Sequence, residues 1–230
     1  RIPGASGEIV QALNNLPGVA RASVGSGAFV VWGAASEDTG IYVDGVRVPR
    51  LYHDGGLRSV LGAEMVRSVE LVPGGYGAGY GRGLGGLVTV ATRSPMDDDQ
   101  THASVAFDVY DGSASLRAPL SSRVGLAISG RASYVAPLLR AFASRDIEDL
   151  FPLPHYVDAQ GRVSIRLRRD EWMDVTVLTS RDRTERTLVN DDPSRTTVEH
   201  RALAFERLYL RYGRELAGGL RASAVLYAGR

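Results

Sequence analysis

Eight of the thirteen residues from Gly74 to Gly86 are glycine, in the stretch GGYGAGYGRGLGGLVTVATR. Within it, Gly81-x-Gly83-x-x-Gly86 has the spacing of a dinucleotide fingerprint. That chemistry needs a strand before the glycines, a helix after them to offer its N-terminus to the pyrophosphate, and an acidic residue about 20 positions on. Here LVTVATR follows, a strand-type run, so no cofactor is expected. The four histidines, His53, His102, His155 and His200, are scattered, and none has a partner at metal-ligand spacing on a clear helix, so no metal centre is expected. His53-Asp54 is the most suggestive pair. MDDDQ, Met96 to Gln100, offers oxygen ligands of the calcium kind but reads better as a solvated link. Gly25-Ser26-Gly27 lacks the Gly-x-Ser-x-Gly frame and the partnered histidine of a nucleophile elbow. With no nucleophile–base pair, no catalysis is expected. With no cysteine, disulfides and thiolate metal sites are excluded.

The 230 residues suffice for one large or two small domains. The 27 basic residues, all arginine, stand against 26 acidic ones for a net charge of +1. Codon bias accounts for the absence of lysine, and the balance lacks the basic face that a nucleic-acid partner requires. No run reaches the ~18 apolar residues of a membrane helix. A β-barrel remains open, because barrels span without one. The opening Arg1-Ile2-Pro3 carries no leader pattern and the chain stops inside a strand-like run, so both ends read as cut.

Two halves follow different rules. Up to about residue 95 the chain is mixed. Ile9, Val10, Leu13 and Leu16 lie near helical spacing, with Ser6 or Gly7 as cap and Pro17-Gly18 as stop. Short strand runs follow, AFVVW, GIYVDGVRV, VRSVELV and GLVTVAT, with Asp44-Gly45 as a hairpin turn and GAEMV as a short helix. From about residue 100 the chain alternates. Val124, Leu126, Ile128, Ala132 and Tyr134 oppose Gly125, Ala127, Ser129, Arg131 and Ser133. Val163, Ile165 and Leu167 oppose Ser164, Arg166 and Arg168. Met173, Val175 and Val177 oppose Asp174 and Thr176, before Leu178 breaks the pattern. Leu208, Leu210 and Tyr212 oppose Arg207, Tyr209 and Arg211. Period two predicts half-buried strands, seven of them, near 101–110, 113–119, 123–135, 161–169, 172–183, 198–212 and 219–230. Short turns alternate with longer links at 136–160 and about 183–197, and Pro137 to Pro154 carries a short helical pattern. Transmembrane barrels alternate apolar-out and polar-in, with short turns on one side and long loops on the other; a soluble sandwich alternates too. Arginines opposite the apolar face suit a wet lumen. Tyr110, Tyr134, Trp172, Tyr212 and Tyr227 near strand ends suit interfacial girdles.

LNNLPGV, then VVWGAASEDTGIYVDGVRVP, then GAEMVRSVELVPGGYGAGYGRGLGGLVTVATR, in that order, resemble the plug domain of TonB-dependent outer-membrane receptors over about residues 7 to 95. Trp32-Gly33 stands where that family has Arg-Gly, and Pro73-Gly74 where it has Gly-Pro. PRLYHDGGLRSV is more elaborate than a generic plug. The resemblance implies a mixed α/β plug domain at 1–95 and a junction at 96–100. Antiparallel transmembrane β-barrel strands at 101–230 would follow, the N-terminal fragment of a 22-stranded barrel, since seven strands cannot close. It implies a receptor in the bacterial outer membrane, with the plug in the barrel lumen and a periplasmic N-terminus. Such a receptor takes up a scarce siderophore-, cobalamin- or glycan-type ligand with energy from the proton-motive force. A non-transporting scaffold or signalling receptor is the alternative. The implied partners are a TonB-type energy transducer contacting a segment before Arg1, a small-molecule or metal-chelate ligand, and outer-membrane lipid. Gly33, Asp44, Gly45, Glu70, Tyr80, Gly81, Gly85 and Gly86 carry over as structural motif residues. Arg50, Tyr52, His53, Asp54 and Tyr76 are the ligand-facing candidates on plug loops. On this reading the glycines let backbone pass close to a crowded wall.

Overall fold

The computed structural model describes residues 8–21, 28–53, 58–81, 85–134, 155–189 and 196–230. It begins with a short helix, α1 (Ile9–Asn14), whose N-cap is Glu8 rather than Ser6 or Gly7. The Glu8 carboxylate makes no capping bond, because other partners hold it. Ile9 and Leu13 enter the core. Past Pro17, Gly18 takes φ 79° and turns the chain into β1 (Val19–Arg21), paired antiparallel with β2 (Phe29–Val31).

Two tight turns share one handedness. β3 (Gly40–Val43) and β4 (Val46–Arg47) join through Asp44 and Gly45, at φ 50° and 85°. Positive φ at both central residues marks a type I′ turn. The second turn, after β2, has Trp32 at φ 52° and Gly33 at φ 82°, closed by Ala34 N–H to the Val31 carbonyl at 3.0 Å. Left-handed backbone costs a side-chain-bearing residue about 1–2 kcal/mol. Trp32 lies directly on Gly18, where a Cβ would collide with its indole ring.

A 3-10 turn at Ala63–Met65 leads into β5 (Val66–Val72). β6 (Leu87–Thr92) completes a sheet of order β4-β3-β6-β5. β6 runs parallel to β3, with Gly40 opposite Leu87, and antiparallel to β5. Gly85 and Gly86 bring the chain into β6. A Cβ on Gly85 would lie 2.7 Å from Ala34 Cβ, and one on Gly86 2.6 Å from Val31 Cγ1.

The alternating half forms one antiparallel wall in which each strand pairs with its sequence neighbours. It comprises β7 (His102–Phe107), β8 (Asp111–Pro119), β9 (Val124–Ser133), β10 (His155–Arg168), β11 (Glu171–Val189), β12 (Thr196–Glu215) and β13 (Arg221–Gly229). Among the described residues the wall does not close, and β7 and β13 are its edges. Among the described residues, β10 to β12 run longer than the apolar alternation marks. Their ladders continue past the end of the apolar alternation, because backbone pairing needs no apolar face. Arg183, for example, pairs with His155 on one side and Ala202 on the other. The helical pattern at 137–154 lies outside the described residues.

Burial inverts the rule of a soluble sheet. In β9, Ala127, Ser129, Arg131 and Ser133 are buried while Ile128 is 45% exposed. In β10 and β11, Asp158, Arg162, Ser164, Asp174, Thr176, Ser180 and Asp182 are buried while Val157 and Val177 are exposed. The polar face packs on the N-terminal half and the apolar face looks out. Leu178, which broke the alternation, joins the core of the N-terminal half together with Phe205. Two aromatics expected in girdles belong to the inward face instead. Trp172 shares the parity of Asp174 and lies across Gly213, and Tyr227 stands opposite the buried Tyr209.

Candidate functional site

The interface between the plug-like half and the wall gathers most of the buried charge. On β10 and β11, Tyr156 stands opposite Asp182 and Asp158 opposite Ser180. Asp158 and Asp182 are therefore diagonal neighbours on the inward face, a spacing of about 7–8 Å between backbones. His53 of the plug-like half enters between them. Its Nε2 lies 2.9 Å from Asp158 Oδ2 and its Nδ1 3.3 Å from Asp182 Oδ2. The ring stacks on Tyr156 at 4.1 Å between centroids and 13° between planes. His53 is only 1% exposed. Burial opposes the charged ring, but hydrogen bonds to Asp158 and Asp182 and the charges of both outweigh it, so the pKa of His53 lies above its ordinary value.

Arginines frame this pair. Arg50 donates to Asp182 Oδ2 at 2.9 Å. Arg131 of β9 has its Nε 3.6 Å from Asp158 Oδ2 and its Nη1 3.3 Å from Glu8 Oε1. Glu8 also accepts the backbone N–H and the hydroxyl of Ser59, each at 3.0 Å. Arg58 bridges Glu8, Asp108 and Asp111, and the Tyr156 hydroxyl donates to Asp111. The start of α1, the loop residues 50–59 that are described, and strands β8 to β11 thus meet in one network.

A second network lies toward the short turns. Asp44, at the hairpin tip, accepts Thr92 N–H at 3.0 Å, Thr92 Oγ1 at 2.6 Å and the Tyr209 hydroxyl at 3.2 Å. Arg211 has Nη1 3.3 Å from Asp44 Oδ1 and Nη2 3.0 Å from Asp174 Oδ2. Arg162 donates to Asp174 at 2.8 Å and to Thr92 Oγ1 at 2.9 Å. Ser164 adds a 2.6 Å bond to Asp174. Beside this network is a cavity of about 410 Å³ lined in part by Arg67, Arg166, Trp172 and Arg211. Of its cations, Arg67 pairs with Asp97 and Arg211 with Asp174, while Arg166 donates to the Ser122 carbonyl.

The residues singled out from sequence separate into groups. Arg50 and His53 are buried against wall carboxylates. Asp54 lies outside the described residues. Tyr52 is half-buried in an isolated bridge to Ser59. Tyr76 donates to the Gly85 carbonyl at 3.0 Å. Tyr42 donates to the Gly81 carbonyl at 3.4 Å and meets Tyr80 edge-on at 5.1 Å. Tyr42 therefore ties the glycine run to the sheet, and Tyr76 ties one part of the run to another. Gly33 and Asp44-Gly45 form the two turns, and Glu70 is exposed on β5 opposite Thr89.

Sequence reasoning missed Glu8, Arg58, Asp111, Asp158, Arg162 and Asp182. The signal available was parity: Asp158 and Arg162 share the face of Ser164, and Asp182 shares that of Asp174. Among the described residues, no group of three or more His, Asp or Glu is arranged to hold a metal ion.

Residues 4–87 match the family TonB-dependent Receptor Plug Domain. The solved siderophore receptor PirA from Acinetobacter baumannii superposes with a TM-score of 0.67 at 16% identity, over 96% of this chain and 37% of that one. A ferric enterobactin receptor (PfeA) from Pseudomonas aeruginosa, in complex with enterobactin, gives 0.61 at 18%, over 96% and 38%. The ferripyoverdine receptor of the outer membrane of Pseudomonas aeruginosa, bound to ferripyoverdine, gives 0.64 at 11%, over 94% and 31%. At these identities the likeness is one of fold, and the chain spans well under half of each receptor. No curated protein matches the chain.

Proposed function

Residues 4–87 are a TonB-dependent receptor plug domain, and from that premise we propose that the chain is the N-terminal part of an outer-membrane receptor. In this reading it imports a scarce ligand, most naturally a ferric siderophore. The single observation that carries the reading is the inverted wall. Buried polar residues such as Asp158, Arg162 and Asp174 face the plug, while Val157, Val177 and Leu208 face outward. Such a wall suits lipid on one side and a polar, plugged lumen on the other. A TonB-type transducer drawing on the proton-motive force would move the plug from its N-terminal side. Tyr52 and Tyr76 are the candidates for ligand contact, while Arg50 and His53 hold the wall.

The experiment is uptake of radio-iron siderophores by cells whose only receptor is the full-length protein. The expected result is accumulation that stops with a protonophore and with loss of the transducer. Accumulation indifferent to both overturns energised transport. Saturable binding with no accumulation favours the scaffold or signalling alternative.

A further inference from the structure

The Asp158–His53–Asp182 bridge has a property that none of the neighbouring ion pairs shares. Both ring nitrogens of His53 face carboxylate oxygens, at 2.9 and 3.3 Å, at 1% exposure. A neutral imidazole offers one N–H and one lone pair. In that state one nitrogen would present a lone pair to a carboxylate, in a place where water cannot intervene. Only the imidazolium donates to both. The arginines around it keep their charge at every accessible pH, so among the cations of the network His53 is the one that titrates. We propose that His53 is a proton-dependent latch: the imidazolium ties the plug to β10 and β11, and loss of its proton frees this part of the plug from the wall.

The surroundings of the ring set the direction. From the plug side, Arg50 and Arg58 face the cluster, with Glu8 at the start of α1. From the wall come Asp111 of β8, Arg131 of β9, Tyr156 and Asp158 of β10, and Asp182 of β11, with Asp108 beside β8. With His53 protonated, four cations meet five carboxylates; without that proton the acidic excess grows. Asp158 Oδ1 is buried without a hydrogen-bond partner, and the spare donor beside it, Arg131 Nε, lies 3.6 Å from Asp158 Oδ2, too far for a hydrogen bond.

The folded pKa of His53 is raised, burial being outweighed by the two aspartates. A raised pKa contributes stability that is fully present below the unfolded value, about 6.5 for histidine, and is lost as pH climbs through the folded value. The latch is therefore closed at mildly acidic pH and opens on the alkaline side.

The test uses the full-length protein in detergent or nanodiscs and has two readouts. Ring-carbon NMR of labelled histidine follows the His53 titration, assigned by loss of the signal in His53→Gln. Hydrogen exchange of plug peptides covering residues 48–53 and 58–62, corrected for intrinsic pH dependence, follows release. The expected result is a His53 midpoint above 6.5, with protection falling about tenfold or more through that midpoint. His53→Gln should flatten the profile, and Asp182→Asn should lower the midpoint while leaving the wall assembled. A midpoint at or below 6.5 overturns the latch. So does a pH profile that survives in His53→Gln. Should His53→Gln not assemble, an Asp182→Asn midpoint equal to wild type overturns it as well. None of these readouts depends on transport, so the latch and the receptor assignment stand or fall separately.

Discussion

At Gly86 a Cβ would meet Val31 Cγ1 at 2.6 Å, whereas at Gly77 it would meet nothing within 4 Å. The same residue type in one run therefore carries different loads. Gly86→Ala forces β6 away from Val31 and should cost about 1–3 kcal/mol, as overpacking does. Gly77→Ala has room and no positive φ, and should be neutral or stabilise by up to about 1 kcal/mol through the unfolded chain. Denaturant unfolding of the full-length protein, read at the plug, checks the pair; equal effects would refute close packing at Gly86. Asp44 joins two duties that can also be separated. Its φ of 50° suits Asn as well as Asp, while its charge faces Arg211. Asp44→Asn should therefore lose less than Asp44→Ala, which strains the turn and strands Thr92 and Arg211; about 1–3 kcal/mol is expected for the alanine. The glycine spacing and the Asp-Gly turn were legible in sequence, because backbone sterics are local. The ion pairs were not. Glu8 and Arg131 are 123 positions apart, and no local rule says which lumen arginine a helix-start glutamate will find.

Adjacent residues of β11 report on opposite environments, which makes the strand its own control. Val177 is 46% exposed and Leu178 1% exposed. Val177→Arg places a charge on the outward face. Near a bilayer midplane this should cost about 2–4 kcal/mol, seen as a lower yield of folded, heat-modifiable protein in the membrane, with plug docking unchanged in what does assemble. Leu178→Ala should assemble normally but loosen the plug by about 2–5 kcal/mol, the range for a truncated core leucine. If instead Val177→Arg loosens the plug and Leu178→Ala blocks assembly, the faces have been assigned the wrong way round. The facing of the strands came through in the sequence because period two survives any tertiary arrangement. Strand length did not, since β11 and β12 stay paired to Val189 and Thr196 through a polar stretch that carries no apolar signal. The meaning of Leu178 was hidden for a related reason. Leu178 keeps the inward parity of Asp174 and Thr176, so the break shows only an apolar side chain on a polar face, and the partner it packs against lies in the other half of the chain.

The two halves share one core and one set of charges, so neither is complete without the other. Leu178 and Phe205 of the wall sit in the hydrophobic cluster built around Ile9, Leu13, Leu51 and Val88. Glu8, Arg50, His53 and Asp44 find partners on β9, β10, β11 and β12. Removing the wall would expose the apolar partners and leave these charges to water. Charges returned to water lose little, whereas the lost apolar contacts are not replaced. The small sheet of four strands, two of them only two and four residues long, then has too little buried surface to offset its chain entropy. A fragment of residues 1–95 expressed alone should therefore lack a cooperative unfolding transition, or melt well below the plug of the full-length protein. Amide exchange within β3 and β6 should be faster by orders of magnitude. Calorimetry and exchange on the two proteins side by side decide it. An isolated fragment that melts cooperatively at the same midpoint would mean that the wall merely houses the plug. The buried networks around Asp158, Asp174 and Asp182 would then fix the position of the plug and not its fold. That outcome would also raise their importance for motion, because a rigid plug released from the wall can leave as a body, whereas a plug that depends on the wall must loosen as it leaves.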